Sequence, residues 1–231
     1  MSYETKWKAW RDQRLTNLLS PKGNLALVET RWLGEGESLS LSEALLDQPD
    51  TVLATELERK DFFGKVLAHG VRLWNSDSES IQEFKGIDSY PFNEDWVVEG
   101  VFTPHPESQA VAFEFIRDNG GTRDLVVPGE ISAKFAGVTY TLSAFDDDGS
   151  LLLVFGDKTN GKDSYPAGRF LFVEKVEGSN RVILNFNQAF VPPCGFSIHY
   201  NCPMPPQQNR FSFAIEAGEK FPIFTEGYAL H

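Results

Sequence analysis

Residues 139–155 constrain the fold more than any other stretch of the chain. Thr139-Tyr140-Thr141-Leu142-Ser143-Ala144 alternates polar and apolar side chains without a break. Successive side chains of a pleated strand point to opposite faces, so this run buries one face and leaves the other outside the core. Asp146-Asp147-Asp148-Gly149-Ser150 follows, and Asp-Gly supplies the positive φ that a tight hairpin turn needs. Leu151-Leu152-Leu153-Val154-Phe155 is then apolar for the length of one strand. Two strands joined this tightly must run antiparallel.

The rest of the chain repeats that grammar. Strands are predicted over 25–32, 51–58, 66–74 and 80–84, an irregular link over 86–93, and further strands over 96–102 and 110–117. Residues 170–176 and 181–186 read as a second hairpin around Glu177-Gly178-Ser179-Asn180. Helical periodicity is scarce. It is clear only over 1–20, where Trp7, Trp10, Leu15, Leu18 and Leu19 recur mostly at three- and four-residue steps. Ser20-Pro21 stops that helix, because the residue before a proline is pushed out of the α region. A short helix is also predicted over 41–46. With 19 Phe and 19 Gly beside 2 Met, the composition leans the same way. The predicted fold is mainly β, an antiparallel sandwich or barrel with a short N-terminal helix. Its expected divisions are the helix 1–20, a smaller β subdomain 21–90 and a barrel-like domain 91–231, the two β parts being separate or one continuous unit.

Charge and hydropathy narrow the partners. Lys and Arg total 21 against 33 Asp and Glu, a net charge of −12. Such a surface repels phosphates, so neither nucleic acid nor an anionic membrane is expected. No apolar run approaches the roughly 18–20 residues a spanning helix needs, and the N-terminus has no signal-peptide core. The expectation is a cytoplasmic protein with reduced cysteines.

Several motifs resemble chemistry without completing it. Gly156-Asp157-Lys158-Thr159-Asn160-Gly161-Lys162 matches the phosphate-binding pattern G-x-x-x-x-G-K. Asp163 then stands where a magnesium-binding Ser or Thr belongs, and no helix follows to point its N-terminus at phosphate. A loop between strands is expected instead. Asp146-Asp147-Asp148-Gly149 suggests a calcium loop, but that alignment places Ala144 and Phe155 at two ligand positions. Cys194, His199 and Cys202 offer three soft ligands, one short of a structural zinc site. No metal and no cofactor is predicted. G-x-S-x-G, H-E-x-x-H and G-x-G-x-x-G are all absent.

One segment leaves the strand pattern. Pro192, Pro193, Pro203, Pro205 and Pro206 crowd the stretch that also carries both cysteines. Prolines cannot donate to a ladder, so 191–206 is read as a stiff segment outside the sheet, either a closing lid or a place for binding groups. Here the sequence also resembles a known pattern. It is carried by Phe155-Gly156-Asp157-Lys158-Thr159-Asn160-Gly161 through Ser164-Tyr165-Pro166-Ala167-Gly168-Arg169. Asn185-Phe186-Asn187-Gln188-Ala189 with Pro193-Cys194-Gly195 continues it. Cys202-Pro203-Met204-Pro205-Pro206-Gln207-Gln208-Asn209 and Ala217-Gly218-Glu219 complete it. Together these resemble the prokaryotic domain-of-unknown-function family 1684, most strongly over 139–220, with weaker likeness at 86–91 and 96–104.

The resemblance brings no activity with it. It implies a shared feature built from Asp157, Thr159, Gly161, Tyr165, Arg169, Asn187, Cys194, Cys202, Asn209 and Glu219. Asn185 departs from the Asp that the family usually carries, and the pattern fixes neither His105 nor His199. Three readings stay open. In the first, the proline-rich segment and the 157–169 loop line a pocket for a small molecule. Arg169 would fork onto a carboxylate or phosphate, with Asp157, Thr159, Tyr165, Asn187, Cys194, Cys202 and Asn209 around it. In the second, Asp157 or Glu219 is the general base of a hydrolase. In the third, the two cysteines form a thiol or metal site.

Overall fold

A computed structural model describes residues 1–61, 64–114 and 122–230. Part of the strand expected over 110–117 therefore lies outside the described residues. The chain divides into two compact units, each discontinuous in sequence. One comprises Met1–Arg11, Ile87–Pro192 and Asn201–Phe221; the other comprises Asp12–Gly86, Pro193–Tyr200 and Pro222–His231.

The N-terminal helix α1 (Tyr3–Leu18) forms where the periodicity placed it, and it buries Trp7 and Leu18. The second unit takes the chain from Asp12, within α1, and continues with β1 (Leu27–Trp32) and the single-turn helix α2 (Leu41–Ala44). Ser40 and Glu43 close a capping box at the start of α2. Their hydrogen bonds, the Ser40 hydroxyl's first, hold the Glu43 carboxyl below its usual range. The strands β2 (Val52–Lys60) and β3 (Val66–Asn75) complete an antiparallel sheet in the order β1-β3-β2. Its buried face gathers Ala44, Val52, Val71 and Leu73.

The next two elements differ from expectation. The strand expected over 80–84 is instead a short helix, α3 (Glu79–Glu83). The Ser78 hydroxyl decides this: it accepts the Ile81 N–H at 3.2 Å and donates to the Leu25 carbonyl at 2.8 Å. That satisfies an orphan donor of the first turn. The link expected over 86–93 begins as a strand, β4 (Phe84–Ser89).

The barrel follows in six strands: β5 (Val97–Glu114), β6 (Thr122–Phe135), β7 (Val138–Asp147), β8 (Ser150–Phe155), β9 (Arg169–Lys175) and β10 (Arg181–Asn185). They close in the order β10-β5-β6-β7-β8-β9, with every pairing antiparallel. Closure removes the exposed edges a flat sheet would carry. The runs 96–102 and 110–117, expected as separate strands, fall along β5, whose register shifts between Pro104 and Gln109. The strand β11 (Glu219–Phe224) pairs with β4, and neither β6 nor β11 was expected.

The opening hairpin is as its sequence requires. Asp147 pairs with Ser150 across a two-residue turn in which Asp148 and Gly149 have φ of 49° and 86°. Positive φ at both positions gives the turn a twist that matches the strands. The alternating residues Leu142 and Ala144 point into the barrel with Ile131, Leu153, Leu171 and Leu184, all wholly buried. Phe211, Ile215 and Ala217, from outside the barrel strands, fill the same core. Among the described residues no helix is long and apolar enough to cross a membrane.

Candidate functional site

The β8–β9 connection carries the phosphate-loop lookalike, and its hydrogen bonds settle what it is. All ten backbone N–H groups from Gly156 to Tyr165 have acceptors inside the protein. Thr159 alone accepts three of them at its carbonyl, from Lys162, Asp163 and Ser164. Asn160 ties the loop across itself. Its Oδ1 accepts the Asp157 N–H at 2.6 Å, and its Nδ2 donates to the Tyr165 carbonyl at 2.9 Å. The buried Thr159 hydroxyl pairs with that of Ser164 at 2.7 Å. A phosphate loop needs free N–H groups aimed at the ligand, and this loop has none. As the sequence indicated, it is a strand connection.

Arg169, expected to fork onto a ligand, is instead spent within the protein. It opens β9 directly opposite Phe155 and is fully buried. Nη2 donates to Asp157 Oδ2 at 2.8 Å and to the Ile215 carbonyl at 2.7 Å. Nη1 donates to the Ala217 carbonyl and, at 3.2 Å, to that of Glu219. Three of these N–H groups thus fasten residues 215–219 to the barrel and the fourth holds Asp157, while Nε has no partner among the described residues. Asp157 is equally committed: Oδ1 accepts the Thr159 N–H at 2.8 Å and the Ile215 N–H at 3.3 Å. Both charges of this pair are out of water, and each is repaid by further hydrogen bonds.

The other expected residues follow the same pattern. Asn209 is wholly buried where β7 and β8 part. Its Oδ1 accepts the Ser143 N–H at 2.9 Å, and its Nδ2 donates to the Ser143 and Val154 carbonyls, both at 2.8 Å. The carboxamide thereby continues a ladder the two backbones no longer reach across. Asn187 grips Asn93, accepting its N–H at 2.8 Å and donating to its carbonyl at 2.9 Å. Glu219 is buried and accepts the Val191 N–H at 2.8 Å. Tyr165 is half-buried, its N–H bonded to the Lys220 carbonyl. Cys194 and Cys202 are buried and not joined in a disulfide. Among the described residues no three His, Cys, Asp or Glu gather in a way that would hold a metal ion.

Asp157 and Asn160, both bonded within the protein, line a cleft of about 310 Å³ beside the β8–β9 connection. Pro205 forms one wall. Gly168, at φ +93°, lets it approach: a Cβ there would lie 2.6 Å from Pro205 Cγ and 2.6 Å from the Phe155 carbonyl oxygen. Lys158 and Arg210 bring two cations to the lining. The Arg210 Nε donates to the Pro205 carbonyl at 3.0 Å, which sets the plane of the guanidinium. Neither its Nη atoms nor the Lys158 ammonium has a side-chain partner among the described residues. Neither residue was given a binding role from sequence. The available signal was their place: Lys158 follows Asp157, and Arg210 follows Asn209, so both sit on backbone that those buried neighbours fix.

Comparison with known proteins agrees on relationship and is silent on activity. The model of the family described as "Protein of unknown function (DUF1684)" matches residues 82–220. No curated protein matches the chain. Among solved structures, the solution structure of an uncharacterized protein of Haloarcula marismortui is similar at 29% identity. The likeness covers 59% of this chain and 77% of that one, with a TM-score of 0.48.

Proposed function

We propose, for a chain that belongs to the DUF1684 family of proteins of unknown function, that it is a binding module for a small molecule bearing a carboxylate or phosphate. The cleft between Lys158 and Arg210 is the binding site. The observation that carries this reading is the contrast within that region. The Asp157 carboxylate and the Asn160 carboxamide that line the cleft are bonded within the protein, whereas its two cations have no counterion among the described residues. Its volume lies at the lower end of the roughly 300–1,000 Å³ of small-ligand pockets. In a chain of net charge −12, two unneutralised cations at one concave place give a local field opposite to that of the surface as a whole. With the loop N–H groups occupied, the anion is held by side chains: a planar fork from Arg210 and a point charge from Lys158.

The test is a titration followed by backbone NMR, with inorganic phosphate in one arm and malonate in the other. Shifts confined to 156–168 and 204–211 are expected in at least one arm, and the preferred arm separates phosphate from carboxylate. Arg210→Ala and Lys158→Ala should each weaken binding about tenfold, the effect of roughly 1.4 kcal/mol. Both side chains are exposed, so both variants should keep the wild-type spectrum elsewhere. Binding by neither anion, or binding indifferent to both substitutions, overturns the reading.

A further inference from the structure

A second concavity lies at the barrel end where β5 begins and β6 turns into β7. Its volume is about 480 Å³, and its walls include Trp96, Val98, Phe135 and Phe213. Trp96 and Phe213 face one another as near-parallel rings, 17° apart in plane with centroids at 6.3 Å, and both remain partly exposed. Aromatic rings left partly open at a barrel mouth offer faces against which flat ligands can stack.

The bowl is rigid from below. Trp96 meets the edge of Phe186 at 6.2 Å, and Phe213 meets Tyr140 at 5.8 Å and Phe135 at 5.8 Å. Phe135 in turn packs on Phe186 at 5.7 Å. The turn that presents Trp96 is fixed from the side. Asn187 holds both backbone groups of Asn93, and the Asn93 Oδ1 accepts the Asp95 N–H at 2.9 Å. Asn187 therefore acts as a positioning residue for this bowl.

The rim carries two charges of opposite sign. Asp95 and Lys134 both line the bowl and are exposed, and neither has an ion-pair partner among the described residues. A ligand with a single charge would be drawn by one and repelled by the other. A ring whose head group carries both charges is matched twice. We propose that this bowl is a binding site, separate from the Lys158–Arg210 cleft, for a planar ring with a zwitterionic head, the chemical class of an aromatic α-amino acid. The ring lies against Trp96 and Phe213, the ammonium faces Asp95 and the carboxylate faces Lys134.

The experiment is calorimetric titration of the full chain with L-phenylalanine, phenylacetate and phenethylammonium. L-Phenylalanine should bind at least fivefold more tightly than either singly charged probe. Trp96→Ala should weaken all three by about tenfold or more. Lys134→Ala, at an exposed position, should leave the fold intact and abolish the advantage of L-phenylalanine over phenethylammonium. Should Trp96→Ala fail to fold, Lys134→Ala alone decides. Equal affinity for the three probes, no binding at millimolar concentration, or an unchanged order in Lys134→Ala overturns the proposal.

Discussion

Arg169 joins a carboxylate and three carbonyls that are distant in sequence, at residues 157, 215, 217 and 219. An arginine is suited to this because its fork presents two N–H groups on each terminal nitrogen, in one plane. Lysine, a single point of charge, cannot reach the same set. Removing the cation leaves the Asp157 carboxyl without its partner in an interior where its side chain has no exposed surface. Arg169→Gln should therefore destabilise the protein by about 3–5 kcal/mol, read as a lower denaturant midpoint. Adding Asp157→Asn should recover part of that loss, because the two costs share one cause.

At the scale of elements, the hairpin and the β8–β9 connection invite opposite substitutions. Asp147 ends β7 beside two more aspartates. The residue is exposed, yet neighbouring protein displacing water first, then the charges of Asp148 and Asp146, push its carboxyl above the usual range. A carboxyl whose folded-state pKa is raised favours the fold while protonated, and that contribution is lost as pH rises through the raised value. Asp147→Asn should thus raise the melting temperature near neutral pH, and the gain should shrink to nothing toward about pH 3. A thermal-denaturation series across that range shows it directly. Gly168→Ala works the other way. The new methyl would meet both Pro205 and the Phe155 carbonyl from a backbone at positive φ. The expected loss of stability is larger than the about 0.4–1 kcal/mol that an unstrained Gly→Ala replacement gains, and the cleft should lose anion binding with it.

These elements also show where sequence is legible. The run 139–155 declares its own structure, because alternation and Asp-Gly are local rules that the barrel has no reason to override. Residues 80–84 misread as strand because the deciding group, the Ser78 hydroxyl, lies upstream of the run and bonds to distant Leu25. β6 was missed because Pro128 and Gly129 interrupt its pattern. The structure admits them: a Cβ on Gly129 would lie 2.4 Å from the Thr103 carbonyl oxygen, so only glycine fits there. The family residues were found by pattern, yet no pattern says whether a polar side chain faces a ligand or a carbonyl. Only the positions of residues 209–219 in space answer that for Arg169 and Asn209.

For the whole molecule, the decisive fact is that its units are not segments. The chain passes from one to the other at 11/12, 86/87, 192/193, 200/201 and 221/222. Cutting it anywhere removes part of a core that belongs to earlier sequence. A chain ending at residue 206 would lack Phe211, Ile215 and Ala217 from the barrel interior, and Arg169 would lose all three of its carbonyl partners. Such a chain should show no cooperative unfolding transition by circular dichroism. The fully bonded β8–β9 connection extends the same logic to time. A surface loop ordinarily trades its amide protons with water within moments, because thermal fluctuation frees them one at a time. Here the ten amides from Gly156 to Tyr165 are tied to one another and to residues 209, 213 and 220. In deuterium exchange they should keep pace with the slowest barrel strands, so that what looks like a connection behaves as one of the molecule's most enduring parts.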